Sequence, residues 1–369
     1  MTLEKSILLS GYYGFDNSGD DAILKAIIKD IREENPNLEI VVLSNNPKKT
    51  EDMYSVKAIN RFKFGELIKG IRNTSLLISG GGSLLQDITS TRSLLYYLAV
   101  MALAKLFRKP VMVYANGIGP IDKRGNRFLT KTVLNHVNLI TLRDEDSKSY
   151  LQKMNIKNDN IVVTADPVFT LDASPKDVIE NIFIKEAIAN DKRFIGISIR
   201  PWKRADNLVE VISKMIDYVT EKYDVNVILI PMHYPEDLDL SNKVLDKVDK
   251  ASCFVIKDQY AVEDIMGIIK ELDMIVAMRL HSLIYAATQE IPMVGLVYDP
   301  KVEGILYSLE MNHMSNVENL DYDHLIENID YVWNNKDELR DILKHGDEEL
   351  KIKALSNITM AMELLKVGD

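Results

Sequence analysis

Two rhythms of apolar residues alternate along the chain. Short runs of mostly apolar residues fall at 6–10, 39–44, 75–79, 110–114, 139–142 and 161–164. Between them apolar positions recur at helical spacing, as with Ile23, Ala26, Ile27 and Ile31 over 22–33. Apolar runs of five or so residues predict strands covered on both faces, and the wider spacing predicts helices with one buried side. Asn35-Pro-Asn37 ends the first helix just before the second strand. Strands separated by helical patterns predict a parallel sheet with right-handed crossovers.

A looser polar stretch over 171–193 interrupts this rhythm, and the linker is placed near its start. The alternation then resumes, with strands predicted at 194–199, 226–230, 274–278 and 292–297. Cys253 lies in Ala-Ser-Cys-Phe-Val-Ile, which reads as a further buried strand. From Asp321 the pattern is helical to the end, with Ile329, Val332, Trp333, Leu339 and Leu343 on buried faces. No solenoid-length repeat is present. The predicted fold is α/β, with two Rossmann-like domains facing a cleft. The domains are placed at 1–170 and 171–345, followed by a C-terminal helix over 346–369.

Composition narrows the class. At 369 residues the chain exceeds one ordinary core. Its 46% hydrophobic and 27% charged residues are those of a soluble globular protein. Net charge is −10 and no basic tract is long enough to follow a phosphate backbone, so nucleic acid is not an expected partner. The single cysteine excludes an internal disulfide and fits a reducing cytoplasm. The opening residues break too soon to resemble a signal peptide. The apolar segment 94–104, flanked by Arg92, Lys105, Arg108 and Lys109, is too short to span a bilayer. It reads first as a helix buried against a sheet, and second as a peripheral contact with anionic lipid at the inner membrane face.

Candidate chemistry gathers at the carboxyl ends of the predicted strands: Gly11 to Asp21, Gly80-Gly81-Gly82, Asn116, Arg143, Asp166, Arg200, His233, Arg279 with His281, and Lys301. In doubly wound sheets these ends form the ligand crevice. Arg279 and His281 stand between a strand and a helix start, where free N–H groups favour an anion and an imidazole can move a proton. A satisfied surface histidine beside a packing arginine is the alternative. The Gly80–Gly82 run could offer amides to a phosphate or sugar, or simply make a tight turn. Asp20 or Asp21 could cap the helix that follows. The dinucleotide spacing G-x-G-x-x-G, the Walker loop, the G-x-S-x-G elbow and paired-histidine metal patterns are all absent from the sequence. Acid–base chemistry on an anionic substrate, with no cofactor, metal or covalent cysteine, is the expectation.

The ordered set Gly11-Tyr-Tyr-Gly-Phe-Asp-Asn-Ser-Gly-Asp-Asp-Ala22, Ser79-Gly-Gly-Gly-Ser-Leu-Leu-Gln-Asp87, Asn116-Gly-Ile-Gly-Pro120, Leu142-Arg-Asp144, Ala165-Asp-Pro167 and Arg279-Leu-His-Ser282 resembles the polysaccharide pyruvyl transferase family, in its bacterial cell-wall-polymer branch. The resemblance implies a GT-B-like fold and transfer of pyruvate from phosphoenolpyruvate onto a sugar as a 4,6-ketal. The implied acceptor is an N-acetylmannosamine-containing lipid-linked precursor, whose product anchors surface-layer proteins. By motif, Arg143, His281 and Lys301 match positions that handle phosphoenolpyruvate, and Asp20 and Asp237 match acidic positions near the acceptor. The first domain is thereby the acceptor side and the second the phosphoenolpyruvate side. Asp21 stands where the family pattern has Glu, and the loop around Asp237 matches less well.

On this reading His281 is the general acid, Asp20 or Asp237 the base, and Arg143, Arg279, Arg200 and Lys301 are charge partners for carboxylate and phosphate. Gly80, Gly81, Gly82 and Asn116 complete the expected binding set. Two rivals are a GT-B glycosyltransferase using a nucleotide sugar, with Glu303 gripping the ribose, and a non-catalytic polysaccharide binder.

Overall fold

The computed structural model describes residues 5–88 and 90–367. The chain divides into two compact units. One runs to Thr170 and resumes at Leu350, and the other is Leu171–Glu349.

The first unit holds seven strands: β1 (Ser6–Tyr13), β2 (Glu39–Ser44), β3 (Lys57–Asn60), β4 (Leu76–Gly80), β5 (Val111–Asn116), β6 (Leu139–Leu142) and β7 (Ile161–Val163). They form one parallel sheet in the order β3-β2-β1-β4-β5-β6-β7. Ile7, Leu8 and Leu9 are buried in succession, because helices cover both faces of the sheet. On one face α1 (Ser18–Glu34) packs on β1 and β4. After α2 (Pro47–Tyr54) come α3 (Phe64–Asn73), α4 (Thr91–Leu106), α5 (Arg124–Leu134) and α6 (Glu145–Lys153). These last four share a core of Leu67, Ile71, Leu98, Met101, Leu134 and Leu151 with the other face of the sheet.

The second unit repeats the plan with six strands. In chain order its elements are α7 (Lys176–Lys185), β8 (Arg193–Ser198), α8 (Leu208–Tyr223), β9 (Val225–Leu229), α9 (Glu236–Leu245), β10 (Cys253–Val255), α10 (Val262–Lys270), β11 (Met274–Ala277), α11 (Leu280–Thr288), β12 (Met293–Val297), α12 (Pro300–Ser308), β13 (Met314–Asn316) and α13 (Tyr322–Asn334). The strand order is β10-β9-β8-β11-β12-β13, again parallel. A final helix, α14 (Lys336–Val367), closes the described chain.

Several elements differ from the reading of the sequence. The strands β3 and β13 fall outside that reading: they are edge strands of four and three residues, Lys-Ala-Ile-Asn and Met-Ser-Asn, with no apolar run to announce them. The polar stretch over 171–193 holds α7, whose Ile179, Ile182 and Phe183 supply a buried side. The helix placed over 346–369 begins ten residues earlier, at Lys336, and is continuous. Its later turns bury Ala354, Ile358, Ala361 and Leu365, one helical stripe, and belong to the first unit. There Asn357 accepts from Thr164 Oγ1 and donates to the Ala165 carbonyl.

Candidate active site

In the first unit the tips of β1, β4, β5 and β6 are neighbours, so the residues that follow each strand converge. The cap of α1 is Asn17, whose side chain accepts from the amides of Gly19 and Asp20. Neither Asp20 nor Asp21 caps the helix, contrary to the sequence expectation, and both side chains are released from that duty. The glycine run explains why Asp20 is crowded. Gly81 and Gly82 have φ of +64° and +69°, and a Cβ on Gly81 would lie 1.9 Å from Ile23 of α1. A Cβ on Gly82 would come within 3.3 Å of Asp20 Oδ1. The run therefore lets the β4–α4 loop press on the first turn of α1.

Two expected ligand contacts are corrected here. The Gly81 amide donates to the Tyr114 carbonyl at 2.7 Å, so it is not offered to a phosphate. Asn116 is fully buried, and its Nδ2 donates to the carbonyls of Ser79 and Tyr114, tying β4 to β5. A register shift between Val113 and Asn116 turns its side chain inward.

Arg143, at the tip of β6, has a side chain only 7% exposed. Its Nη1 lies 3.1 Å from Asp166 Oδ2 and its Nη2 donates to Ser83 Oγ at 3.2 Å. Arg143 and Asp20 belong to the first unit, whereas Arg279, His281 and Lys301 belong to the second. Asp20 is pushed up to about 8, first by burial and next by the charge of Asp21, with Asp166 adding to the effect and Arg143 and Arg61 opposing it. A carboxylate poised there can exchange a proton near neutrality. Asp21 is raised to about 6, again mainly by burial. Asp87 is committed elsewhere: it accepts from the Asp122 and Lys123 amides and from Asn126 Nδ2, which organises the turn before α5.

Arg61 is a member of this site that reading the sequence did not single out. It follows edge strand β3 and is 4% exposed. Its Nη1 donates to the Gly11 carbonyl at 2.8 Å, and its guanidinium lies 4.3 Å from the Tyr96 ring centroid and 5.3 Å from that of Phe15. Aromatic faces rather than a carboxylate hold this charge. Beside it Tyr12 and Phe15 stack with centroids 4.1 Å apart. The signal that marked the other residues, a charged side chain just after a strand, would have marked Arg61 had β3 been visible.

In the second unit β9, β8, β11 and β12 are consecutive, and their tips carry Asp237, Arg200, Arg279 with His281, and Lys301. Asp237 is wholly buried and bound to Arg279 in a two-pronged pair. Oδ1 lies 2.6 Å from Nη2 and Oδ2 lies 2.9 Å from Nε. Oδ2 also accepts from the Met232 and His233 amides. A carboxylate so enclosed has no access to a sugar hydroxyl, which corrects its expected role as a base. It orients Arg279 instead, leaving the Nη1 edge of that guanidinium uncommitted.

Arg279 is the N-cap residue of α11, with no side chain capping that helix, and His281 lies in the first turn. The positive end of the helix thus begins at Arg279, next in sequence to Leu280 and His281. The His281 ring centroid is 6.3 Å from that of Tyr285. Arg200 donates from Nη1 to Tyr298 Oη at 3.2 Å and lies over the Tyr298 and Trp202 rings, while its buried Nε has no hydrogen-bond partner among the described residues. Lys301 is in the first turn of α12, its amide held by the Asp299 cap. Glu303, the residue considered for gripping a ribose, accepts from Tyr307 Oη at 3.2 Å. Among the described residues no group of three or more His, Cys, Asp or Glu could hold a metal ion.

Comparison with known proteins bears on the fold and the family. The amylovoran biosynthesis protein AmsJ of Erwinia amylovora is 22% identical, with the match covering 98% of this chain and all of that protein. Among solved structures, a UDP-GlcNAc 2-epimerase from Neisseria meningitidis superposes with a TM-score of 0.66 at 12% identity, covering 97% of this chain and 99% of that one. A glycosyltransferase from Rickettsia africae gives 0.65 at 13% identity, covering 98% and 99%. These likenesses show the GT-B type of fold, two parallel Rossmann-like α/β units in one chain. The family model for polysaccharide pyruvyl transferases matches residues 17–300, from the α1 cap to the start of α12. The chain belongs to the polysaccharide pyruvyl transferase family.

Proposed function

We propose that this enzyme transfers pyruvate from phosphoenolpyruvate onto two hydroxyls of a sugar, forming a 4,6-ketal and releasing phosphate. The observation that carries the reading is Arg279, fixed by buried Asp237 beside His281 at the amino end of α11. That arrangement is a rigid anion receptor with a proton carrier next to it. Arg200 and Lys301 add positive charge for a substrate bearing both a carboxylate and a phosphate.

In this scheme His281 protonates C3 of the enol, and C2 becomes electrophilic. The first sugar oxygen bonds to C2 as its proton passes to Asp20. Phosphate departs with the electron pair of its bond to C2, and the second hydroxyl closes the ring. Over a turnover one hydroxyl proton ends on the new methyl group and the other leaves with phosphate. Holding both hydroxyls in one sugar makes the second addition intramolecular. The acceptor we infer is N-acetylmannosamine in a lipid-linked cell-wall precursor, with the reaction in the cytoplasm and the product serving surface-layer anchoring.

The test is phosphate release from phosphoenolpyruvate, with and without that acceptor, for the wild type and His281→Ala. The expected result is acceptor-dependent release that the substitution lowers about 100- to 10,000-fold. Unchanged turnover in the variant would remove His281 from the chemistry. One observation favours a second reading, transfer from a nucleotide sugar: the Neisseria structure was solved with UDP-GlcNAc bound. Calorimetric titration separates the two, because binding of a UDP-sugar with no binding of phosphoenolpyruvate would favour the second.

A further inference from the structure

The outer side of α3, α4 and α5 has a character unlike the rest of the molecule. Along α4, Leu95, Ala99, Ala102 and Leu106 all face solvent at helical spacing. The opposite side of the same helix fills the core with Leu94, Leu98 and Met101. The helix is thus apolar all round while lying at the surface, a pattern expected of a buried element. The neighbouring helices extend the patch. Phe64 of α3 and Phe128 of α5 are each 69% exposed, and Leu106 is 74% exposed. Of the fifteen large hydrophobic side chains exposed among the described residues, seven lie between Phe62 and Leu129.

Charge on this face runs against that of the chain. Residues 63–131 contain eleven Lys and Arg against three Asp and Glu, a net of +8, so the remainder of the −10 chain carries −18. Lys69, Arg72, Arg92, Arg108, Arg124 and Arg127 stand at or beside the three helices. Among the described residues none of these six pairs with a carboxylate, and the ion pair seen in the segment joins Lys63 to Glu66. A helical face with exposed leucine and phenylalanine, rimmed by exposed long cations that no carboxylate neutralises among the described residues, matches a bilayer interface. Its apolar side chains enter the acyl boundary while its cations meet anionic headgroups. No described helix is long and apolar enough to cross a membrane, so the contact is one of lying on the surface.

We propose that the α3–α4–α5 face docks the enzyme on an anionic lipid bilayer. The proposal does not rest on the identity of the transferred group. It is tested by flotation of the full chain with vesicles of phosphatidylglycerol and phosphatidylcholine, or of phosphatidylcholine alone. The expected result is partition onto the anionic vesicles only, released when salt rises from about 0.1 M to about 0.5 M. Arg92→Gln, Arg124→Gln and Arg127→Gln together should weaken partition at least about tenfold. Leu95→Ser, Leu106→Ser and Phe128→Ser together should weaken it at unchanged charge. Lys176→Gln, Lys203→Gln and Lys257→Gln in the second unit should have no effect. All variants are compared at wild-type melting temperature, and the two triple variants on this face fail independently. The proposal is overturned if anionic vesicles do not bind, if both triple variants on this face bind as the wild type does, or if the protein is retained on heparin but not on vesicles.

Discussion

The two sheets end in strand tips built alike but charged differently. In the first unit, carboxylates and guanidiniums are nearly balanced: Asp20 and Asp166 stand with Arg143 and Arg61. Yet Arg143 is shared with Asp166 and Ser83, and Arg61 is held by aromatic rings. Asp20 is therefore left crowded and only partly compensated, and its proton is held to about pH 8. In the second unit the buried carboxylate of Asp237 is bound by Arg279, and Arg200, His281 and Lys301 follow neighbouring strands. There the carboxylate is satisfied and positive charge is in excess. The same architecture thus yields a proton-retaining carboxylate at one set of tips and a carboxylate neutralised by arginine at the other. What decides is whether the aspartate owns its guanidinium.

That difference predicts opposite results for the same substitution. Asp237→Asn leaves Arg279 buried without its counter-charge, and should lower stability by about 3–5 kcal/mol in denaturant unfolding. Its effect on turnover should follow through a higher KM for phosphoenolpyruvate. A fall in kcat with unchanged unfolding would restore Asp237 as the base and break the comparison.

Asp20→Asn should cost about 100-fold in kcat while leaving the fold intact. Because the folded pKa of Asp20 is raised above the usual carboxylate value, the stability that its proton contributes is full below about pH 4 and is lost as pH rises through about 8. The asparagine variant should therefore match the wild type in acid and exceed it at alkaline pH. In the wild type, kcat/KM should rise with pH through about 8 as Asp20 loses its proton, and this limb should vanish in the variant. A limb that persists in the variant would assign it to another group.

Arg61→Lys is the smallest expected effect. It keeps the charge but loses the planar contact with Tyr96 and Phe15, for about 1 kcal/mol of stability. A loss several times larger would mean that the bond to the Gly11 carbonyl, rather than the rings, fixes the loop that carries Asp20.

Much of the fold was legible because its signals are local. Three successive buried residues at Ile7, Leu8 and Leu9, or the spacing of Ile23, Ala26, Ile27 and Ile31, express strand and helix periods directly. The edge strands β3 and β13 were not legible, since a short, half-exposed strand has little apolar character. The helix α7 hid in a polar stretch because only one of its sides is buried.

The site divides in the same way. Sequence by itself determined which residues follow the strands, and hence that Asp20, Arg143, Arg200, Arg279, His281 and Lys301 gather at strand tips. Only the tertiary structure decided what each can do. Asp237 and Arg279 are 42 positions apart, and Arg143 and Ser83 are 60 apart. Whether a carboxylate is a base or an anchor depends on partners and burial that no local pattern contains. The same reason separates Asn116, sealed between two strands, from Asp20, crowded by a glycine loop until it keeps its proton.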